Sequence, residues 1–570
     1  MLIGYVSDEM HVAIADAQLE FRRRDESIEV RSRASGAVVG DIPPGRWNVT
    51  IAKPGFTRKF VDLDVSPGME PYRFRLLSDR LLGYMWPKWV RGGESAELRL
   101  HSPESFRLSL WRYGWGKEKV ADLGLFESFG PGGDRQILPD GDFAARGCDW
   151  NHHGYPFGPD ARNVIVAPDR SGLYYLHMKA ASGAFFSFPW IVAPSQPTSD
   201  VAVLASNIDW NAYNDFGGRS NYVAAQFLPI EPAVNVRQHS PYLRDTGGRF
   251  WDREHYDPLS FDRPEPVNRV DEDEEIDSPM RRIGSEHVAP ATWRLLGWME
   301  REGIAHDLHA ETQLQSGVLD LDRYRLVILD QHPEYWSRQM YERLKTWVFE
   351  RGGTLMYLGG NGLDCEVEFI HDDTATIHRN GDRRHWVEIR DFTGGAGSFP
   401  PGRMELTNEC PAHLTGLHTT LTGMGTAAPF RVRAADHWAF EGTGLRAGDL
   451  FGQKTLDVRN PGGASGHETD KMCEHTPAGT ILLAKGTNEH EGGSDLIAFE
   501  TPKGGQVFST GSICWICALP VDEQVGRVTA NVIRRFSADG GTAPGRPRAE
   551  AVADRSHEEA GADRKQEATV

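Results

Sequence analysis

His332 and Glu334 stand two residues apart in DQHPEYWS, residues 330–337. Side chains at i and i+2 of an extended segment point to the same side. Pro333 between them fixes its own φ and biases His332 toward extended geometry, so the pair is aimed together. An imidazole and a carboxylate aimed at one point can do acid–base work on the floor of an active site. The same two residues can equally form a solvated turn or cap a helix. Their spacing leaves both readings open.

The flanking elements place the pair at the end of a strand, where a site could lie. YRLVIL before the pair reads as a strand, and YWSRQMYERLKTWVFERGG after it as a helix, with Trp336, Met340, Leu344 and Trp347 on one face and Gly352 and Gly353 as the stop. TLMYLGG gives the next strand. Strand, helix, strand at this spacing predicts a parallel βαβ unit. VAVLAS (201–206) reads as a strand buried on both faces, and APATWRLLGWMEREG (289–303) as a helix with Pro290 in its first turn and Gly303 past its end. GQVFSTGSI and VGRVTANVIRRFSA close the chain's α/β part as strand and helix. Open parallel sheets bind ligands beyond the carboxyl ends of their strands. NIDWNAYNDFGGRSNY (207–222), DQHPEYW and GGNGLDC (359–365) fall there, with SGHETDK (465–471) in a later Gly-rich loop.

Upstream the patterning is different. Residues 1–79 alternate apolar and polar residues around Pro-Gly turns, as half-buried antiparallel strands do, and 80–195 continue in that style with SAELRLHS, FRLSLWRYGW and SGLYYLHMKA. APSQPTSD (193–200) is a linker by composition. The reading is therefore a multidomain β plus α/β chain: two β-sandwich modules over 1–79 and 80–195, a parallel-sheet domain over 196–537 and a disordered tail over 538–570. Paired histidines His152 and His153 point opposite ways on an extended chain and read as a surface loop. The acidic run DEDEEID (271–277) reads as a solvated loop.

Composition narrows the function classes. The chain has 570 residues, 39% apolar and 25% charged, as expected of a globular protein with several cores. A formal net charge of -19 argues against nucleic-acid backbones and anionic membranes. No apolar run approaches the ~20 residues that span a bilayer, and MLIGYVSDEM lacks the pattern of a secretory signal. A cytoplasmic location is the expectation. Six cysteines are too sparse for a disulfide scaffold. CWIC (514–517) reads as part of a strand and turn with buried apolar cysteines, rather than as a redox motif.

DWNAYNDFGGRSNY, SFDRP (260–264), HPEYWS, GGTLMYLGGNG, GGASGHETD and FSTGSICW, in this order, resemble the large (β) subunit of N,N-dimethylformamidase and its relatives, over roughly 200–537. The N-terminal 75 or so residues separately resemble a transthyretin-like, carboxypeptidase-regulatory-like β-sandwich. The first resemblance implies a glutamine-amidotransferase-like (flavodoxin-like) fold and a mononuclear Fe(III) site made by two tyrosines and a glutamate. Motif by motif, these fall on Tyr213, Tyr222 and Glu334, with Tyr256 in REHYDPLSF as the other candidate for the second tyrosine. His332, Asn361 and Glu468 fall on the polar residues beside the metal. The implied activity is hydrolysis of a small linear amide. The resemblance also raises a small subunit and a homo-oligomer as partners. Phenolate and carboxylate are hard anionic donors suited to Fe(III), and three of them balance its charge.

Two other readings compete. A cysteine amidotransferase would need a nucleophile at a strand-to-helix elbow beside a histidine. Cys365 is the only placed candidate, and LDCEVEF reads as continuing strand. A non-catalytic binding protein with a decayed site is the other. The identity of the amide is not encoded in any of these motifs.

Overall fold

The computed structural model describes residues 1–127, 163–218, 220, 229–234, 259–282, 284–369, 377–380, 409–420, 422–423 and 425–538. The paired His152 and His153, both candidate tyrosines Tyr222 and Tyr256, and the tail beyond 538 lie outside these residues.

The first 76 residues form two sheets. One orders Ala37–Val39, Leu2–Asp8 and Tyr72–Leu76; the other orders Glu26–Arg31, Gln18–Arg23, Gly45–Ala52 and Lys59–Val65. Alternation along Lys59–Val65 places Phe60 outside and Val61, Leu63 and Val65 inside, so the two sheets bury one core around Phe21, Trp47 and Phe74. The next sheets order Asn163–Val166, Ser95–His101 and Leu82–Trp86, and then Lys117–Phe126, Phe106–Tyr113, Gly172–Ala180, Phe185–Ala193 and Trp89–Arg91. This β-sandwich-like character is the one the alternating sequence predicts.

A nine-stranded mixed sheet follows, in the order Asp307–Ala310, Val201–Ala205, Leu326–Leu329, Thr354–Tyr357, Gln506–Ser509, Asp495–Glu500, Ile481–Gly486, Phe430–Val432 and Leu450–Phe451. The first five strands run parallel. The remaining four are added antiparallel, so the expected parallel sheet describes one half only. Val201–Ala205 and Leu326–Leu329 are buried along their whole length, as apolar runs covered on both faces must be. Helices Ala289–Arg301, Arg338–Glu350 and Glu523–Ser537 stand where the periodicity predicts them.

Two local readings change. Trp336 lies in a two-residue strand, Tyr335–Trp336, paired with Cys365–Glu366, and not on the following helix; Ser337 caps that helix by accepting from the Met340 N–H at 3.1 Å. CWIC forms a short helix, Cys514–Ala518, after the 506–509 strand. A fully buried apolar segment has to satisfy its own backbone groups, and a helical turn does so locally. Burial pushes both thiols well above the usual range, so the cysteines behave as small apolar residues. The acidic run is an exposed loop, as expected, held at two points: Glu274 accepts from the buried Arg294 guanidinium at 2.6 Å, and Ile276 is buried.

The second β region and the α/β region share a core. Tyr113 and Trp293 pack with ring centroids 4.8 Å apart, and the Trp293 indole donates to the Gly114 carbonyl at 2.8 Å. Among the described residues no helix is long and apolar enough to cross a membrane.

Candidate active site

The site is built at the carboxyl ends of three adjacent parallel strands. After Val201–Ala205 the chain enters the helix Asn207–Ala212, whose C-terminal cap is Tyr213. Buried carboxylates hold this helix. Asp330 accepts from the Ser206 N–H at 3.0 Å, and Glu311 accepts from the Ile208 N–H at 2.8 Å. The buried Arg263 of SFDRP donates to the Asn211 carbonyl at 2.7 Å and to its side-chain oxygen at 2.9 Å, which explains why that motif accompanies NAYN.

After Leu326–Leu329, Gln331 adopts φ 35° and turns the chain over the strand end. The extended segment that follows lies beside 363–365, with the Leu363 N–H donating to Pro333 O at 2.7 Å and the Cys365 N–H to Glu334 O at 2.9 Å. His332 and Glu334 thus face one side, as their spacing predicts, and the side they face is occupied by Tyr213. The His332 Nε2 is 2.8 Å from Tyr213 Oη and 3.2 Å from Glu334 Oε2, while Tyr213 Oη–H donates to Glu334 Oε2 at 3.1 Å. All three are buried. Glu468 approaches from the turn between Ser465–His467 and Thr469–Lys471, with its Oε2 3.8 Å from His332 Nε2. Among the described residues that oxygen is buried and has no hydrogen-bond partner.

GGNG supplies the third wall. A Cβ on Gly360 would lie 2.6 Å from Glu468 O and 2.9 Å from Ile513 N, so only glycine lets the three loops meet here. Asn361, at φ 51°, hydrogen-bonds to Glu468 through its side chain, donates its N–H to Asp470 Oδ1 at 2.8 Å and accepts from Thr419 Oγ1 at 2.8 Å. Ser512 of FSTGSICW closes the arrangement, donating its N–H to Gly359 O and its hydroxyl to Ala464 O at 2.7 Å.

The tautomer of His332 follows from its neighbours. Its Nδ1 is 2.8 Å from the Gly360 carbonyl, which can only accept, so Nδ1 carries a proton and Nε2 is the atom that titrates. Burial opposes the charged form, but the Glu334 hydrogen bond and the charges of Glu468 and Glu334 outweigh it and raise the imidazole to about 9. Burial pushes Glu468 up to about 7 against the opposing charge of His332.

Tyr213, His332, Glu334, Asn361 and Glu468 are therefore brought together, as expected of them. Tyr222 and Tyr256 fall outside the described residues. Cys365 lies in the strand Cys365–Phe369, buried, with its thiol 3.7 Å from Glu334 Oε1. It is at no strand-to-helix elbow.

Several residues here were not singled out from sequence. His287 stacks on Tyr213 at 5.1 Å between centroids and stands edge-on to His332 at 4.8 Å and to His467 at 4.7 Å. Burial drives both His287 and His467 well below the usual imidazole range, and neighbouring cationic groups add to this. Glu286 is paired with Arg459 at 3.0 Å. Asp209 Oδ1 accepts the Glu334 N–H at 3.1 Å. The sequence signal at His287 is SEHV directly before a Pro-initiated helix, where a charged pair is a common flank.

Tyr213 and Glu334 offer two hard oxygen donors 3.1 Å apart, roughly the spacing of neighbouring ligands at ~2 Å from one ion. These two donors suit a hard cation, with His332 beside them and the Glu468 oxygen beyond.

A family model described as N,N-dimethylformamidase beta subunit-like, C-terminal, matches residues 108–528. The match begins in the strand Phe106–Tyr113, well upstream of the first site motif, in keeping with the core that this strand shares with the 289–301 helix. The N,N-dimethylformamidase beta subunit of Paracoccus aminophilus is 28% identical over 317 residues, 45% of this chain and 38% of the relative. That of an Alcaligenes species is 27% identical over 313 residues, with the same coverage of each chain. The aligned part thus spans well under half the length of these curated relatives.

Proposed function

The chain belongs to the N,N-dimethylformamidase beta subunit-like family, and from that premise we propose that it hydrolyses a small linear amide to carboxylate and amine at a mononuclear Fe(III) site. Tyr213 and Glu334 would hold the ion, with Tyr222 or Tyr256 as the second phenolate. The observation that carries this reading is the convergence of Tyr213 Oη, Glu334 Oε2 and His332 Nε2 within 3.2 Å of one another in a buried cluster at the strand ends. We read the parallel half of the sheet as glutamine-amidotransferase-like, the fold the resemblance implies.

A ferric ion held there supplies Lewis acidity toward an amide carbonyl and toward water. The proton traffic belongs to the chain. His332 is fixed by Gly360 so that only Nε2 exchanges a proton, and Nε2 faces Tyr213 Oη and Glu334 Oε2, beside which water and the leaving nitrogen would meet. With its imidazole raised to about 9 it starts protonated and would deliver the Nε2 proton to the amine as the C–N bond breaks. The Glu468 carboxylate, at about 7, would take the proton that water loses on attack at the carbonyl carbon and return it to Nε2. Glu468, buried beside it, accepts a hydrogen bond from water or amine through the oxygen that no donor among the described residues reaches. Asn361 holds the Glu468 carboxylate in place.

A small partner subunit is part of this proposal, because the matched relatives are named as beta subunits. The test is elemental analysis and an optical spectrum of the purified protein, followed by a panel of N-substituted formamides and related amides scored for released amine. About one iron per chain with a visible phenolate-to-iron band and amine release is expected. A colourless, iron-free protein with full activity overturns the reading.

A further inference from the structure

CPAHLTGLH (410–418) and CEH (473–475) bring a second set of donors together, away from the site above. Ligand atoms of Cys410, His418 and Cys473 all lie within 4.8 Å of one another. Cys410 is buried, and His418 and Cys473 are partly buried. Neither cysteine forms a disulfide. Two further imidazoles stand on the same segments: His413 and His475, packed edge-on with centroids 5.0 Å apart. His475 is also close enough to His418 to influence its charge electrostatically.

We propose that Cys410, Cys473 and His418 bind one zinc(II) ion, its fourth position completed by water. Thiolate and imidazole are the donors that borderline-soft zinc prefers, and they suit hard cations poorly. Two thiolates cancel the charge of the ion, and a neutral imidazole and water add none, so the filled site is neutral and can sit in a half-buried place at little desolvation cost. The backbone is arranged for it. The Cys473 N–H donates to Thr476 Oγ1 at 2.9 Å, and that hydroxyl donates to Gly416 O at 2.8 Å, so the turn carrying Cys473 is already tied to the segment carrying Cys410 and His418. The Tyr341 hydroxyl fixes the Cys410 carbonyl at 3.1 Å.

The zinc would act as a clamp. His418–Thr420 pairs with Thr469–Lys471, placing His418 opposite Lys471 and Thr419 opposite Asp470. Thr419 Oγ1 donates to Asn361 Oδ1, and Glu468 immediately precedes this ladder. Metal across 410, 418 and 473 joins both strands of the ladder that backs Glu468 and Asn361. The chain would then carry two metals sorted by softness, iron on oxygen and zinc on sulfur and nitrogen.

The experiment reads zinc rather than turnover, so its failure is distinguishable from failure of the iron site. The full-length chain, purified under reducing conditions without a metal-affinity tag, is analysed for zinc after gel filtration, and the zinc is then exchanged for cobalt(II). About one zinc per chain is expected, with cobalt giving the absorption of a tetrahedral thiolate complex; this arm needs no variant and does not depend on a mutant folding. Cys410→Ser/Cys473→Ser should lose the zinc, and Glu334→Gln should keep it. Failure of the reduced protein to take up zinc or cobalt overturns the proposal. So does a cobalt spectrum without thiolate bands, zinc retained by a folded double serine variant, or a Cys410–Cys473 disulfide in zinc-free protein.

Discussion

The Tyr213 hydroxyl and the His332 Nε2 are 2.8 Å apart, and the opposite edge of the imidazole is held by the Gly360 carbonyl at the same distance. One ring nitrogen is thus spent on orientation and the other is presented to the phenol and the carboxylate. This assigns different work to two residues that stand two positions apart. Glu334→Gln removes an anionic donor from a hard cation, so iron content and turnover should fall together. His332→Ala should leave iron and colour largely intact while kcat drops by roughly 10²- to 10⁴-fold, the usual contribution of a positioned acid or base. Equal loss of iron in both variants, measured by elemental analysis, would refute the division.

Tyr213→Phe keeps the ring that stacks on His287 and removes only the phenol oxygen. Iron binding should weaken, and the visible band should lose intensity, with little change in melting temperature. An unaltered spectrum at full iron loading would show that the colour arises from another tyrosine and that Tyr213 is not a ligand.

Gly360→Ala tests the closeness of the three loops. The new methyl meets the backbone at Glu468 O and Ile513 N, 2.6 and 2.9 Å away, and neither can move as a side chain would. We expect a stability loss of about 1–3 kcal/mol, typical of overpacking. A lower kcat should accompany it, because Gly360 orients His332. Wild-type denaturation and wild-type turnover together would mean the loops are looser than the geometry indicates.

Asp330 provides a pH test outside the reacting groups. Burial raises its carboxyl from 3.8 to about 6, against hydrogen bonds from Thr292 and Ser206. A group that holds its proton more tightly in the folded state contributes stability that is complete below about pH 4 and is lost as pH rises through 6. The loss is on the order of 2–3 kcal/mol for a shift of this size. Asp330→Asn lacks this titration, so its melting temperature relative to wild type should rise between about pH 4 and 6 and stay level above. A difference that is flat across that window would exclude a raised pKa.

The alternation of residues 59–65, the Pro-initiated helix at 289 and the apolar strands at 201 and 326 were legible because they follow from local periodicity. Trp336 was not. Its apolar side chain fits the helical pattern as well as it fits a strand, and pairing with the distant Cys365–Glu366 decides between them. CWIC was misread for a related reason, since a short apolar run has no periodicity to separate a strand from a buried helical turn. The antiparallel half of the sheet depends on pairing between segments that carry no orientation signal of their own.

By itself the sequence determined that His332 and Glu334 face one way, because two-residue alternation is a property of any extended chain. The family resemblance carried by six motifs in order implied, beyond this, that Tyr213, Asn361 and Glu468 belong with them. Only the tertiary structure decided what lies opposite. Tyr213 reaches His332 across 119 residues of chain, and His287, Asp209, Cys365 and Arg459 join by packing that leaves no regular spacing in the sequence. It also decided protonation: the same histidine type is pushed up at His332 by two carboxylates and far down at His287 by burial beside a cationic neighbour. Such shifts come from burial and from the charges nearby, and those are properties of the folded surroundings.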